Sequence, residues 1–289
     1  MNNIFIKDSD ELIDIRRDKV FKAVFSHETY SSKQALSSLI SAFIYKKVEI
    51  DNIKSNEPPA AGLTQRHIRF DLSCSAKSGQ LINIEMSTKP LSFEPVRLEY
   101  YAGKLFTGQD IQGKDKNYDD LEEAWQIAFL SRTRFFPDDN FLHCFEFYDL
   151  KNRVPLNGKT RIITVELAKL KEVAKTPVKA MSAAERWAVF FRYLTDKRKH
   201  AIIKEIIESE EGIKMAYEAL LNISQDEYER ARLLSEEKYE LDTRTMLSAE
   251  VRKAEKRGKR EGRLKGRQEI IDMLKSGKSH EEIIREYES

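Results

Sequence analysis

The sequence predicts an α/β (α+β) protein, a central mixed β-sheet flanked by helices and followed by a helical C-terminal extension. Three observations predict it. Between residues 48 and 167 short runs alternate apolar with polar residues; on either side apolar residues recur at helical spacing; and beyond Ser224 large apolar residues become sparse while charge rises. At 289 residues, with 40% apolar and 34% charged, the chain can bury one sizeable core and still carry an exposed helical part.

Asp8-Ser-Asp-Glu11 reads as a capping box opening a helix that carries Leu12, Ile15, Val20, Val24 and Phe25. A second helix starts near Ser31-Ser-Lys-Gln34 and places Ala35, Leu36, Leu39, Ile40, Phe43 and Ile44 on a core face. Val48 to Ile53 reads as a short strand, and a loop with Pro58-Pro59 leads into a β-hairpin. In its first arm Ile68, Phe70, Leu72 and Cys74 point one way and Arg69, Asp71 and Ser73 the other; in its second, Ile82, Ile84 and Met86 oppose Asn83, Glu85 and Ser87. A turn at Lys77-Ser78-Gly79 pairs residues whose numbers sum to 156, so Asp71 faces Glu85. Like charges directly opposed destabilise a sheet, which favours a cation between them, with a divalent metal as the natural candidate. The same alternation also fits two acids on a solvated face, and a one-residue slip would separate them.

Pro95 marks the first turn of a third helix, on which Arg97, Tyr101 and Lys104 share a face. Ala124–Leu130, His143–Tyr148 and Arg161–Leu167 read as further strands, giving the order α-α-β-β-β-α-β-β-β. From Ser182 the pattern is helical, over 184–194, 202–207 and 213–221. Gly258, Gly262 and Gly266 recur every four residues in a charged arm, where each glycine costs a helix about 1 kcal/mol relative to alanine. Gly277 ends a helix beginning near Glu269, and Ser279-His-Glu-Glu282 caps a last one.

The net charge of +2 conceals an asymmetry. Arg252 to Arg267 holds nine basic residues against Glu255 and Glu261, a net of +7, so the rest of the chain carries −5. An exposed basic arm of this kind suits electrostatic contact with nucleic acid, a charged linker, or pairing with a second copy. The longest apolar stretch, Leu36 to Tyr45, is broken by serines and too short to span a bilayer, and the N-terminus lacks the form of a signal peptide; a cytoplasmic protein away from membranes is the expectation. Cys74 and Cys144 lie in apolar runs and read as buried thiols, and the histidines at 27, 67, 143, 200 and 280 show no zinc-ligand spacing.

Several pieces in order resemble a known family: Asp18-Lys-Val-Phe-Lys-Ala-Val-Phe25, Asp71 with Asn83-Ile-Glu-Met86, Arg97-Leu-Glu-Tyr-Tyr101, Trp125 to Leu130, Phe145-Glu-Phe-Tyr-Asp149, Val165-Glu-Leu167 and the late Gly/Arg/Lys/Glu repeat. The chain resembles the recombination-promoting nuclease and transposase family with a PD-(D/E)XK nuclease core. The resemblance implies a restriction-endonuclease-like core over residues 1–175, a helical subdomain over 176–223 and a charged helical arm over 224–289. It implies a Mg²⁺-dependent DNA endonuclease of mobile-element or recombination type, with Mn²⁺ as an alternative ion. Asp71, Glu85 and the Met86 carbonyl would hold the metal, Asp18 would join through a water, and Arg97 and Tyr101 would contact phosphate or brace the site. Hard oxygen donors suit Mg²⁺, which lowers the pKa of a bound water and offsets transition-state charge. Arg257, Lys259, Arg260, Arg263, Lys265 and Arg267 would meet DNA.

The chain departs from the family at Ser87, where the family carries Gln and the wider superfamily Lys. A hydroxyl supplies neither charge nor reach. Lys89 and Lys104 are the candidates to replace it. The alternative reading is a catalytically impaired member that binds DNA or a protein partner. A third treats residues 225–289 as an oligomerisation handle.

Overall fold

A computed structural model of the chain describes residues 11–27, 29–54, 72–88, 92–109 and 117–288. The chain divides into two units, residues 1–231 and 232–289.

In the first unit a six-stranded sheet has the order β1 (Ile50–Lys54), β2 (Leu72–Ala76), β3 (Leu81–Ser87), β4 (Ala124–Leu130), β8 (Thr160–Glu166), β5 (Leu142–Phe145). The β1–β2, β2–β3 and β5–β8 pairs are antiparallel, whereas β3–β4 and β4–β8 are parallel, so the predicted mixed sheet is present. Every residue of β4 is buried, as expected of a central strand covered on both faces.

One face packs against α1 (Asp18–Phe25) and α2 (Tyr30–Ile44), behind which lie α4 (Ala183–Tyr193), α5 (His200–Ser209) and α6 (Glu211–Gln225). Rings from four elements meet there: Phe129 of β4 lies 5.1 Å from both Phe43 and Phe191, and Phe21 lies 4.8 Å from Phe25. Trp187 is fully buried among them, its indole N–H donating to Ser38 Oγ at 3.3 Å. The helices from 183 to 225 thus complete the core of this unit. The other face of the sheet is covered by α3 (Glu94–Thr107), which lies on β3, β4 and β8.

Three local expectations are corrected. The described chain is not helical from Glu11 to Arg17. Ile13 and Ile15, two residues apart, are both buried in a non-helical run whose Ile13 N–H donates to Ser224 Oγ at 3.1 Å, and the helix begins at Asp18. The run His143–Tyr148 is not one strand. β5 ends at Phe145, and a separate two-stranded hairpin follows, β6 (Tyr148–Asp149) with β7 (Val154–Pro155), whose turn is closed by Asp149 accepting from the Lys151 and Asn152 N–H groups. Cys144 is exposed, because β5 is an edge strand, while Cys74 is buried as read.

The second unit holds most of α7 (Glu227–Lys275) and all of α8 (His280–Glu288). The helix α7 runs unbroken through Gly258, Gly262 and Gly266. It gives way at Gly277, whose φ of +87° is the left-handed conformation that glycine adopts without strain. Ser279 and Glu282 then form the predicted reciprocal cap of α8, the Glu282 N–H donating to Ser279 Oγ at 3.3 Å and the Ser279 N–H to Glu282 Oε2 at 2.8 Å.

Candidate active site

The hairpin of β2 and β3 has the register read from the alternation. Leu72 pairs with Ile84, Ser73 with Asn83, Cys74 with Ile82 and Ser75 with Leu81, each pair summing to 156. Gly79 turns the chain at a φ of +95°, its N–H donating to the Ala76 carbonyl at 2.9 Å. Asp71 lies outside the described residues, as does Lys89.

The polar side of this hairpin is not solvated. Ser73, Asn83 and Glu85 are all buried, because their face is the one on which α3 lies. Asn83 Nδ2 donates to Gln126 Oε1 of β4 at 2.7 Å, joining one buried amide to another. Glu85 sits one pleat further on, in register with Ala128 of β4, Thr164 of β8 and, through β8, His143 of β5. It is therefore a carboxylate in the middle of a sheet, under a helix.

A buried carboxylate needs a counter-charge, and α3 supplies it. Arg97 Nη2 lies 2.8 Å from Glu85 Oε2 and 2.6 Å from Glu94 Oε1. The two acids' side chains are 1% and 4% exposed and that of Arg97 is 32% exposed, so one partly exposed guanidinium bridges two enclosed carboxylates. Burial works against the arginine's charge, but Glu85 and Glu94 together hold its pKa above the ordinary arginine value. The Arg97 guanidinium carbon also lies 5.4 Å from the centre of the Tyr101 ring, a cation–π contact along one helix face.

The other expected residues are placed as follows. Ser87 ends β3 on the same face as Glu85, half-buried, with its carbonyl accepting from the Ser131 N–H at 2.8 Å. The Met86 side chain points to the opposite face and is buried. Lys104 is seven residues along α3 from Arg97, about 10 Å by helical rise, and its amine lies 5.8 Å from the Tyr100 ring. Asp18 begins α1 on the opposite face and pairs with Lys22 at 3.2 Å. The structure thus joins Glu85, Arg97 and Tyr101, and places Lys104 and Asp18 in contacts of their own.

A family model described as PD-(D/E)XK nuclease family transposase matches residues 15–250. The chain belongs to this family. No curated protein and no solved structure matches it. Membership in the PD-(D/E)XK nuclease transposases agrees with the mixed sheet flanked by helices and the helical C-terminal region. No described helix is long and apolar enough to cross a membrane.

The metal that PD-(D/E)XK nucleases typically use can be tested against this donor set. Among the described residues no three Asp, Glu, His or Cys side chains form a group able to hold a metal ion. Glu85 nonetheless offers a hard oxygen donor in an enclosed position that already holds a cation, the Arg97 guanidinium, and the β2–β3 register brings the chain to within one residue of Asp71. The residues present fit a divalent ion to that extent.

Two acidic groups escaped the sequence reading. Glu94 escaped because an acid in the first turn of a helix is ordinarily explained by the helix dipole; its spacing of three from Arg97 was the available signal. The second is Glu166, at the end of β8. It is fully buried, pairs with the equally buried Lys169 at 2.5 Å, and accepts from the Phe135 and Phe136 N–H groups. His143 and Asp138 complete this cluster, their side chains 3.0 Å apart. Desolvation opposes ionisation of Asp138, but the Asn140 N–H, His143 and Lys169 outweigh it and hold its carboxyl below the usual range. Glu94 also lines a cavity of about 520 Å³, with Leu98, Phe135, Phe136, Phe145 and Thr164 among its other walls.

Proposed function

We propose that this protein is a metal-dependent DNA endonuclease whose reaction centres on Asp71 and Glu85. The observation that carries the reading is Glu85 itself, a buried carboxylate at the covered middle of the sheet with a cation already in contact, in a hairpin whose four described pairs keep the register that leads to 71 and 85. The ion would be held by Asp71, Glu85 and the Met86 carbonyl, and Mg²⁺ or Mn²⁺ bound there would supply an acidified water and charge neutralisation at the phosphate. The chain's own part is to hold Glu85 in place, through Arg97 and the enclosing α3, and to present the half-buried Ser87 hydroxyl beside it for water positioning.

Nicking of supercoiled plasmid in Mg²⁺ or Mn²⁺, lost in chelator, tests this reading. Ser87→Gln restores the side chain the family carries, and its rate is expected to rise by about tenfold or more over wild type, the scale on which one positioning contact acts. No cleavage by either protein in either ion would sink the proposal.

A second reading is a binding protein that has lost catalysis, favoured by Ser87 and the basic arm. Arg257, Lys259, Arg260, Arg263, Lys265 and Arg267 are all exposed on α7. Both readings put DNA on this arm, and counterion release gives its signature. Replacing all six with glutamine is expected to reduce the slope of log affinity against log salt by up to about 5, at roughly 0.9 per phosphate met. An unchanged slope would remove the arm from the DNA interface. Pairing of two copies through the arm is the third reading, and light scattering on the full chain decides it.

A further inference from the structure

Arg97 stands where a cation is wanted, and its surroundings suit a group that leaves and returns. Glu85 is fixed on a central strand and Glu94 in the first turn of α3, both enclosed, whereas Arg97 is one-third exposed at the end of a long flexible stem. It meets both acids through the same nitrogen, Nη2, and its Nε makes no hydrogen bond among the described residues. Movement of the guanidinium away from Glu85 therefore need not break its contacts to Glu94 and to the face of Tyr101. Without Arg97, Glu85 and Glu94 would each lose a charged partner in an enclosed position, a costly change.

We propose that Arg97 is a resident counterion which competes with a divalent cation for Glu85, and that Glu94 is the positioning residue that keeps Arg97 when Glu85 exchanges partners. The inference rests on the metal-binding reading of Glu85 and adds Glu94 to it. It gives both enclosed acids a cationic partner before metal arrives. It also separates two roles that contact alone would merge. If Glu94 acts only through Arg97, its charge matters to metal affinity only while Arg97 is present.

The test is a double-mutant cycle on the full chain, with Mn²⁺ alone as the probe and free ion followed by electron paramagnetic resonance. Arg97→Met, which keeps the stem and removes the competitor, is expected to bind Mn²⁺ about tenfold more tightly than wild type. Glu94→Gln should bind about tenfold more weakly, because Arg97 is then committed to Glu85 alone. In the Arg97→Met background the same Glu94→Gln change should matter by less than about twofold. Thermal unfolding gives an independent readout: Arg97→Met should melt below wild type without metal and regain more of its midpoint than wild type on adding Mn²⁺. Equal weakening by Glu94→Gln in both backgrounds would make Glu94 a direct ligand and overturn the proposal, as would an Arg97→Met protein with unchanged or weaker affinity. Should Arg97→Met fail to fold, Arg97→Gln replaces it. A glutamine carries no charge with which to compete for Glu85, so an undiminished Glu94→Gln effect in that background overturns the proposal as well. Glu85→Gln is the control for the underlying reading: Mn²⁺ binding as tight as wild type in that variant would sink the metal site itself, whatever Arg97 does.

Discussion

Glu85→Gln is expected to lower Mg²⁺-dependent plasmid cleavage by about 10²–10³-fold while leaving the fold in place. The size follows from what a metal ligand supplies, several kcal/mol of transition-state stabilisation at about 1.4 kcal/mol per tenfold in rate. The retained fold follows from the local charges. A glutamine keeps the shape of the side chain, and Arg97 retains Glu94 as its partner at 2.6 Å. Rate and stability should therefore separate, with little change in melting temperature and a large loss in turnover. Asp71→Asn should behave alike. A Glu85→Gln protein that cleaves at the wild-type rate would exclude Glu85 from the chemistry, and one that fails to fold would show that its charge is structural.

The largest effect on stability is expected from Lys169→Met. Lys169 and Glu166 are a fully enclosed pair, their side chains 1% and 0% exposed, and the lysine amine also donates to the Asn140 carbonyl at 3.0 Å. Removing one member of such a pair leaves an uncompensated buried charge, which costs about 3–5 kcal/mol. For a chain of this size that is a fall of about 10 °C in unfolding midpoint, at roughly 2–4 °C per kcal/mol. The effect should be partly reversed in Lys169→Met with Glu166→Gln, because the stranded carboxylate is then neutral. A midpoint within about 2 °C of wild type, below one kcal/mol on the same scale, would mean that water reaches the pair and that the loop from 134 to 143 does not depend on it.

What could be read beforehand was what depends on local periodicity. Alternation within a strand and the glycine that turns the hairpin act over two to ten residues, and they fixed β2 and β3 in their observed register. The Pro95 start of α3, the span of β4 and the Ser279 cap were legible for the same reason. Cys144 was misread because an apolar run does not say whether its strand is central or at an edge. The stretch from Glu11 to Arg17 was misread because a capping sequence can precede an extended run that buries Ile13 and Ile15 just as well.

The candidate site was legible in part. Glu85, Arg97 and Tyr101 could be named from the family pattern, and their spacing put the arginine and tyrosine on one helix face. That the polar side of the hairpin is enclosed could not be foreseen, because alternation distinguishes two faces without saying which is covered; only the packing of α3 decides that. Glu94 and the Glu166–Lys169 pair were missed for a related reason. A charged residue in sequence looks solvated until tertiary packing encloses it and requires a partner.

By itself the sequence determined the types of the main helices and central strands, the hairpin register and the basic arm, since each follows from residue spacing or charge along a short stretch. The tertiary structure alone decided that α3 closes over Glu85, that one guanidinium bridges Glu85 and Glu94, and that β8 ends in a buried ion pair. Those are facts of desolvation, and the desolvation of a residue is set by distant parts of the chain.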